Sequence, residues 1–387
     1  MQKPKRQLLL ALVIASAAPA FLGGCSDPVA TSAPDSFWSR GGPILYTRLA
    51  SVVDAGQVLA IGPDGGGDRS RWPGAIPCPP RLGHAIIVNY LTKTLSIVPI
   101  AEAGTPRLFR SESGGTITAV ACAPDAATVA YVVRANGTPP LSSLYICDTN
   151  GNGAPMANDV ANSSYPVFSP DGNRVAFYAG ADQSEIHVLD LKSRRIDTIA
   201  AGAFPWTIEN VDWSPGGDSI LFAGRSNDGG TRHICIVSAS GGPSRSLTAG
   251  IGGDNRWPLW SPDGGRIAFI HNNELWVMKA DGTGRERLTH VSDSPTQYRI
   301  AINPQWSPDA SMIVFSAIAG NPLQGVLQVV DVSTHRVNVL ARDVLPGFWC
   351  PPNLHASCRA LGPPRLVAQA AADVTKNQWR PMQRAAT

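Results

Sequence analysis

Between about residues 44 and 349, apolar residues fall in short runs closed by Pro, Gly, Asp or Asn, and the chain between them keeps no helical period. Such runs predict strands and turns, and they repeat. Pro124, Pro170, Pro215, Pro262 and Pro308 lie 46, 45, 47 and 46 residues apart, and seven residues after each stands an aromatic: Tyr131, Phe177, Phe222, Phe269 and Phe315. A period of this length without helices predicts an all-β fold, a β-propeller of four-stranded blades.

In register, four segments read VFSPDGNRVAFY from Val167, DWSPGGDSILFA from Asp212, LWSPDGGRIAFI from Leu259 and QWSPDASMIVFS from Gln305, with AVACAPDAATVAYV from Ala119 a weaker fifth. Each is strand, turn, strand: proline presets φ, and the Asp or Gly behind it accepts the turn's conformations. A third strand is predicted at 144–147, 186–189, 234–237, 275–278 and 327–330. A second turn and a polar edge strand such as 287–289 follow.

Worn copies flank these five. Pro80 and Ile87 keep the seven-residue offset, with Leu95 to Val98 as a third strand. Upstream, 44–46 and 58–61, with Asp64 and Gly65, match the later strands of a blade that lacks its first. Phe348, Trp349, Cys350 and Pro351 resemble that missing strand. The count is therefore seven blades, with six or eight open, and the C-terminal segment is expected to complete the N-terminal blade.

The SPDG turn followed by an apolar strand ending in Phe resembles the TolB-like class of WD-type propeller repeats, over roughly residues 41 to 352. The resemblance implies the fold and an envelope setting. It implies no single activity, and because no segment here matches the separate N-terminal domain of TolB itself, that protein's partner is not carried over.

The first residues address the chain. Lys3, Lys5 and Arg6 precede an apolar stretch from Leu8 to Leu22, too short and Ala-rich for a membrane span. Leu22, Gly23, Gly24 and Cys25 resemble the bacterial lipobox, which implies cleavage and a lipid on Cys25; an ordinary signal cut near Ala17 is the alternative. Ser26 rather than Asp after the cysteine implies outer-membrane sorting facing the periplasm. The expected organisation is a lipoprotein signal peptide over 1–24, a tether over 25–40, the propeller over 41–370 and a flexible tail over 371–387.

Charge narrows the partners. The net charge of +3 arises in the signal segment, since without its three basic residues 29 basic side chains face 29 acidic ones. A nucleic-acid partner is not expected. The partners expected are an envelope or periplasmic protein or peptide, and a membrane through the N-terminal lipid, with the chain itself a monomer.

Six cysteines besides Cys25 sit in a compartment that permits disulfides. Cys78 and Cys122 both stand two residues before a blade proline, where other copies carry Phe168, Trp213, Trp260 and Trp306, and are candidates for an inter-blade bridge. Cys350 and Cys358 could close a short loop. Cys147 and Cys235 fall on third strands and read as buried thiols.

Candidate chemistry is sparse. No GxSxG, HExxH, phosphate-binding loop or paired CxxC occurs, so no catalytic residues are assigned and the chain reads as no enzyme. His187 shares a column with Tyr145, Cys235, Trp276 and Gln328 and reads as a strand filler, with no metal or other cofactor expected. Asp148, Asn150, Asn152 and Asp159 have the spacing of a calcium loop, a weak candidate because no helices flank it.

The loops before the innermost strands ring one mouth of a propeller channel. Five residues before each blade proline stand Ala119, Tyr165, Asn210, Trp257 and Asn303, with Trp206, Glu209, Asp212, Arg256, Tyr298, Arg299 and Gln305 beside them. This set is rich in the Trp, Tyr and Arg of interface hot spots. The function expected is a lipid-anchored binding scaffold that recognises a protein or peptide there; the alternative is a polysaccharide lyase or hydrolase with its site in the channel.

Overall fold

The computed structural model describes residues 44–48, 57–61, 69–73, 84–89, 92–99, 106–125, 127–136, 141–161, 166–179, 185–200, 206–226, 230–290, 298–319, 324–342 and 344–349. Cys25, Cys78, Tyr165, Cys350 and Cys358 lie outside them, as do the expected signal peptide, tether and tail. For Trp206, Glu209, Tyr298, Arg299, Asn303 and Asp159 the backbone alone is described.

All regular structure among the described residues is β. The chain opens with β1 (Ile44–Arg48), β2 (Gln57–Ile61) and β3 (Arg69–Pro73). A three-stranded second sheet follows: β4 (His84–Asn89), β5 (Thr94–Pro99) and β6 (Arg107–Ser111). The third sheet holds β7 (Gly115–Cys122), β8 (Thr128–Ala135), β9 (Leu141–Asp148) and β10 (Gly153–Ala161). The fourth holds β11 (Val167–Phe168), β12 (Arg174–Ala179), β13 (Glu185–Asp190) and β14 (Ile196–Ala200). The fifth holds β15 (Trp206–Trp213), β16 (Ser219–Ser226), β17 (Arg232–Ser238) and β18 (Arg245–Ser246). The sixth holds β19 (Asn255–Trp260), β20 (Arg266–His271), β21 (Glu274–Lys279) and β22 (Glu286–Arg287), and the seventh β23 (Tyr298–Trp306), β24 (Met312–Ala319), β25 (Gln324–Asp331) and β26 (Val337–Arg342). The last strand, β27 (Val344–Trp349), pairs antiparallel with β1, so the first sheet is ordered β27-β1-β2-β3.

Why Ser precedes each proline is visible in the turns. Ser169 Oγ accepts the N–H of Arg174 at 2.9 Å and donates to Asp171, while backbone bonds link Ser169 N–H to Arg174 O and Gly172 N–H to Ser169 O. Ser214, Ser261 and Ser307 repeat the bond to the residue five ahead. A single hydroxyl thus braces both ends of the turn. The third sheet has Ala123 at this position, and there Asp125 takes the N–H groups of Ala127 and Thr128 instead. Gly172, Gly217 and Gly264 hold φ between +72° and +74°.

The aromatic seven residues on enters a cross-strand pair. Tyr131 faces Tyr145, Phe177 faces His187, Phe222 faces Cys235, Phe269 faces Trp276 and Phe315 faces Gln328. His187 stacks on Phe177 with centroids 5.4 Å apart, and its ring nitrogens meet Glu185 and Thr198. It fills a strand position, as its column suggests.

Core lies between sheets rather than inside them. One cluster joins Val167, Ala176 and Tyr178 of the fourth sheet to Val211, Trp213 and Phe222 of the fifth; others join the second to the third, the third to the fourth, the fifth to the sixth and the sixth to the seventh. Burying one Trp of 150–250 Å² at about 25 cal/mol per Å² contributes about 4–6 kcal/mol. Sheets stacked face to face in sequence order give the blades of a propeller.

This arrangement defines two ends. The Pro turns and the turns between third and fourth strands share one end, as the bonds from Leu191 N–H to Asn173 O and from Ala239 N–H to Asp218 O record. That end is the turn face. At the opposite end the innermost strands begin beside the loops joining second to third strands, with Asn255 opposite His271 in the ladder. That end is the mouth.

Candidate functional site at the channel mouth

The innermost strands are irregular at one level. The ladder shifts between Ile117 and Ala119 in β7, Ile208 and Asn210 in β15, Arg256 and Leu259 in β19, and Ile302 and Gln305 in β23, with a further shift between Tyr298 and Ile300. The residues left over are Thr118, Glu209, Trp257 with Pro258, Asn303 with Pro304, and Arg299. A regular innermost strand aims its side chains at the neighbouring sheets; a bulge turns a residue out of that alternation. Four of the residues expected at the mouth, Glu209, Trp257, Arg299 and Asn303, therefore stand at bulges.

Trp257 is held at φ +49°, a left-handed conformation rare for a bulky side chain. Its indole is 6% exposed and packs with Trp306, Ile313 and Phe315 between the sixth and seventh sheets. It is therefore core, not a contact residue, because the bulge carries it into the blade interface. Asp212 is corrected too: it is 4% exposed, and its carboxylate accepts the backbone N–H of Trp260 at 2.8 Å, joining the fifth and sixth sheets. Gln305 is likewise buried, its amide donating to Pro304 O. Asn210 keeps a mouth position two residues before Asp212, and its Oδ1 is buried with no hydrogen-bond donor among the described residues.

Arg256 belongs to a network that the sequence left unread. Its Nε bonds Asp254, whose two oxygens also accept Arg232 Nη1 at 2.9 and 3.0 Å, so a guanidinium from the fifth sheet crosses to the sixth. Asn255, fully buried, donates to Arg232 O and bonds His271 through Oδ1. Burial works to raise the Asp254 carboxyl, but the charge of Arg256 and the hydrogen bond from Arg232 outweigh it and hold the group below its ordinary value. Burial lowers the His271 imidazole, offset in part by Asp254. The Asp254 and Arg256 pair was legible as neighbours; Arg232, 22 residues away, carried no sequence signal.

The calcium spacing does not survive folding. Asp148 spends Oδ1 on the N–H groups of Asn150 and Asn152 and Oδ2 on the Asn152 amide, and these bonds hold its carboxyl below its ordinary value. Asp159 lies along β10 toward the residues paired with Ser142, the far end of the strand from that turn. An extended strand separates residues that a calcium loop would fold together. Among the described residues no group of three or more His, Cys, Asp or Glu side chains converges.

Cys147 and Cys235 are free and buried, and burial pushes their thiols up, to about 11 and about 12. Cys122 is disulfide-bonded. Since the other two described cysteines are free, its partner lies outside the described residues.

Stacked antiparallel sheets with bulged innermost strands around a mouth define a β-propeller. Residues 104–344 match the family model of the TolB beta propeller domain, and the chain belongs to that family. Dipeptidyl-peptidase 5 of Porphyromonas gingivalis is 32% identical over 130 residues, covering 29% of this chain and 18% of that protein. The chain thus spans under a fifth of the length of this curated relative. TolB from Acinetobacter baumannii superposes with a TM-score of 0.50 at 20% identity, over 88% of this chain and 93% of that one. Puromycin hydrolase superposes with a TM-score of 0.62 at 15% identity, over 89% and 56%. At these identities the two structures speak for fold alone. The sequence relative corrects the expectation drawn from absent motifs: this chain has kin among peptidases, so a lack of catalytic signatures did not set it apart from enzymes.

Proposed function

We propose that this chain is a lipid-anchored propeller of the bacterial envelope that grips a peptide or protein segment at its channel mouth. The observation that carries the reading is the recurrence of bulges at one level of four innermost strands, where the sequence is most varied. Within the proposal the ring has seven blades over residues 41–370 and closes through β27 on β1. The lipobox-like Leu22 to Cys25 supplies the anchor, and residues up to 40 the tether. Kinship with a peptidase favours a peptide over a polysaccharide as the ligand.

A photo-crosslinking amino acid at position 303 or 209 in intact cells tests the mouth. Specific adducts from these positions, absent from position 242 on the turn face, are expected; equal capture from all three would sink the reading. Labelling with palmitate tests the anchor separately. Labelling that survives Cys25→Ser, or fails in the parent chain, removes it.

A further inference from the structure

His271 stands in a closed ring of hydrogen bonds at the mouth, between the fifth and sixth sheets. Asp254 N–H donates to Asn272 Oδ1 at 2.9 Å, Asn272 Nδ2 meets His271 Nε2 at 3.1 Å, and His271 Nδ1 meets Asn255 Oδ1 at 3.0 Å. Asn255 Nδ2 donates to Arg232 O at 2.8 Å, and Arg232 Nη1 returns to the Asp254 carboxylate.

Two backbone groups fix the direction of every bond at the imidazole. Asp254 N–H can only donate, so it claims Asn272 Oδ1 and turns the Asn272 NH2 group onto His271. Arg232 O can only accept, so it claims the Asn255 NH2 group and leaves Oδ1 for His271. His271 is thereby held as a neutral ring with its proton on Nδ1 and a lone pair on Nε2. A proton added at Nε2 would point at the Asn272 NH2 group. Rotating that amide does not repair the clash, because it sets NH2 against the Asp254 N–H.

What the ring moors is the loop that carries the chain from the fifth sheet into β19. Gly250 and Gly252 have nothing within 4 Å of an added Cβ, whereas at Gly253 a Cβ would lie 2.6 Å from the Asn272 amide and 2.8 Å from His271 Cε1. The loop therefore touches the β20–β21 hairpin at its Asp254 end, where Asn272 N–H also donates to Asp254 O at 3.0 Å.

Charged groups approach the imidazole from several elements. Asp254 favours its protonation, and burial outweighs that pull. Arg232 on β17 and Arg256 on β19 both pair with Asp254, while His233 alternates to the other side of β17. Glu274, opposite His271 in the ladder, accepts the Thr289 hydroxyl at 2.9 Å, and His290 beyond it is exposed. Strand β23 packs on β20 and β21 and starts with Tyr298 and Arg299.

We propose that His271 is an acid-released latch: neutral, it holds the loop before β19 against the β20–β21 hairpin, and protonated, it frees that loop and loosens the Asp254 clamp on Arg232 and Arg256. The consequence for binding rests on the mouth reading above and deepens it: capture is firm at neutral pH and weakens in acid. Because burial holds the folded imidazole below its ordinary value, the latch is fully closed above about pH 6.5 and its contribution is lost as pH falls through the lowered value.

NMR of the full chain with isotope-labelled histidine and backbone nitrogen tests the latch without any ligand, the His271 signal being assigned through the Trp276 indole, whose centroid lies 5.2 Å away. A midpoint below about pH 6.5 is expected. Exchange of the Asp254 amide, corrected for its intrinsic pH dependence, should quicken about tenfold across that midpoint, as loss of one hydrogen bond implies. Asn272→Asp reverses the logic, since its carboxylate accepts from both the Asp254 N–H and a protonated Nε2. Its His271 midpoint should rise by about one pH unit or more, and acid should no longer quicken the Asp254 amide. A parent midpoint at or above about pH 6.5, Asp254 exchange unchanged across it, or an Asn272→Asp midpoint no higher than the parent's would overturn the latch. The parent's two readings decide the matter if the variant does not fold, and none of these results bears on the crosslinks from positions 209 and 303, which test the mouth itself.

Discussion

The indole N–H of Trp213 donates to the carbonyl oxygen of Val167 at 3.0 Å, from one sheet to the sheet before it and across 46 residues of sequence. Trp306 repeats the bond to Leu259 O at 3.2 Å. In two of the three blades with Trp before Ser and Pro the indole is thus a lock between sheets, its ring filling the interface and its nitrogen taking a carbonyl of the preceding sheet, whereas the Trp260 Nε1 is buried without a hydrogen-bond partner among the described residues. Trp213→Phe keeps most of the packing but strands that carbonyl, and should lower stability by about 1–2 kcal/mol in urea unfolding. Trp213→Ala also opens a cavity and should cost about 3–5 kcal/mol. Equal effects of the two would show that the hydrogen bond contributes nothing.

Asp254 makes stability depend on acid. Its folded pKa lies below the ordinary carboxylate value, so its contribution is complete above about pH 4 and disappears as pH falls through the lowered value. Asp254→Asn should reduce stability by about 3 kcal/mol at neutral pH, because the buried guanidinium of Arg232 loses its ion pair with this carboxylate. The variant should also lose less stability than the parent between about pH 4 and pH 2, a difference readable from thermal unfolding across that range.

Two glycines test different constraints. At Gly264, φ is +72° and an added Cβ would meet Pro215 at 3.7 Å, an ordinary contact, so Gly264→Ala costs only the left-handed backbone, about 1 kcal/mol. The seventh sheet already tolerates Ala310 at φ +57° in the matching turn. At Gly153 a Cβ would lie 2.4 Å from Ile146 O and from Cys147 Cβ, so Gly153→Ala should cost more than about 2 kcal/mol through displaced backbone. Chemical denaturation that ranks them the other way would refute this account.

Cys78 is the partner we assign to Cys122, because both hold the blade position two residues before the proline in neighbouring repeats. Non-reducing peptide mapping should recover the linked pair, and Cys122→Ala should lower stability by about 2–4 kcal/mol. A link from Cys122 to Cys350 or Cys358 instead would refute the assignment.

Much of the scaffold was legible because turn chemistry is local. Ser, Pro, Asp and Gly close a turn using groups within five residues of one another, and the predicted third strands at 144–147, 186–189, 234–237, 275–278 and 327–330 fall inside β9, β13, β17, β21 and β25. Column alignment also gave His187 its ordinary role, because cross-strand partners repeat with the blades. The mouth was read less well. The spacing locates its column, but Trp257, Asp212 and Gln305, which the sequence presents as contacts, are buried, since exposure at an innermost strand depends on the sheet packed against it.

By itself the sequence determined the repeat, the all-β class and the turn at each proline, because all follow from φ preferences and alternation within a few residues. Only the tertiary structure decided that Asp148 and Asp159 separate along a strand, that Arg232 reaches Asp254 from another sheet, and that Trp257, Asp212 and Gln305 are buried. These outcomes are set by how strands run and twisted sheets stack, not by any spacing the chain displays.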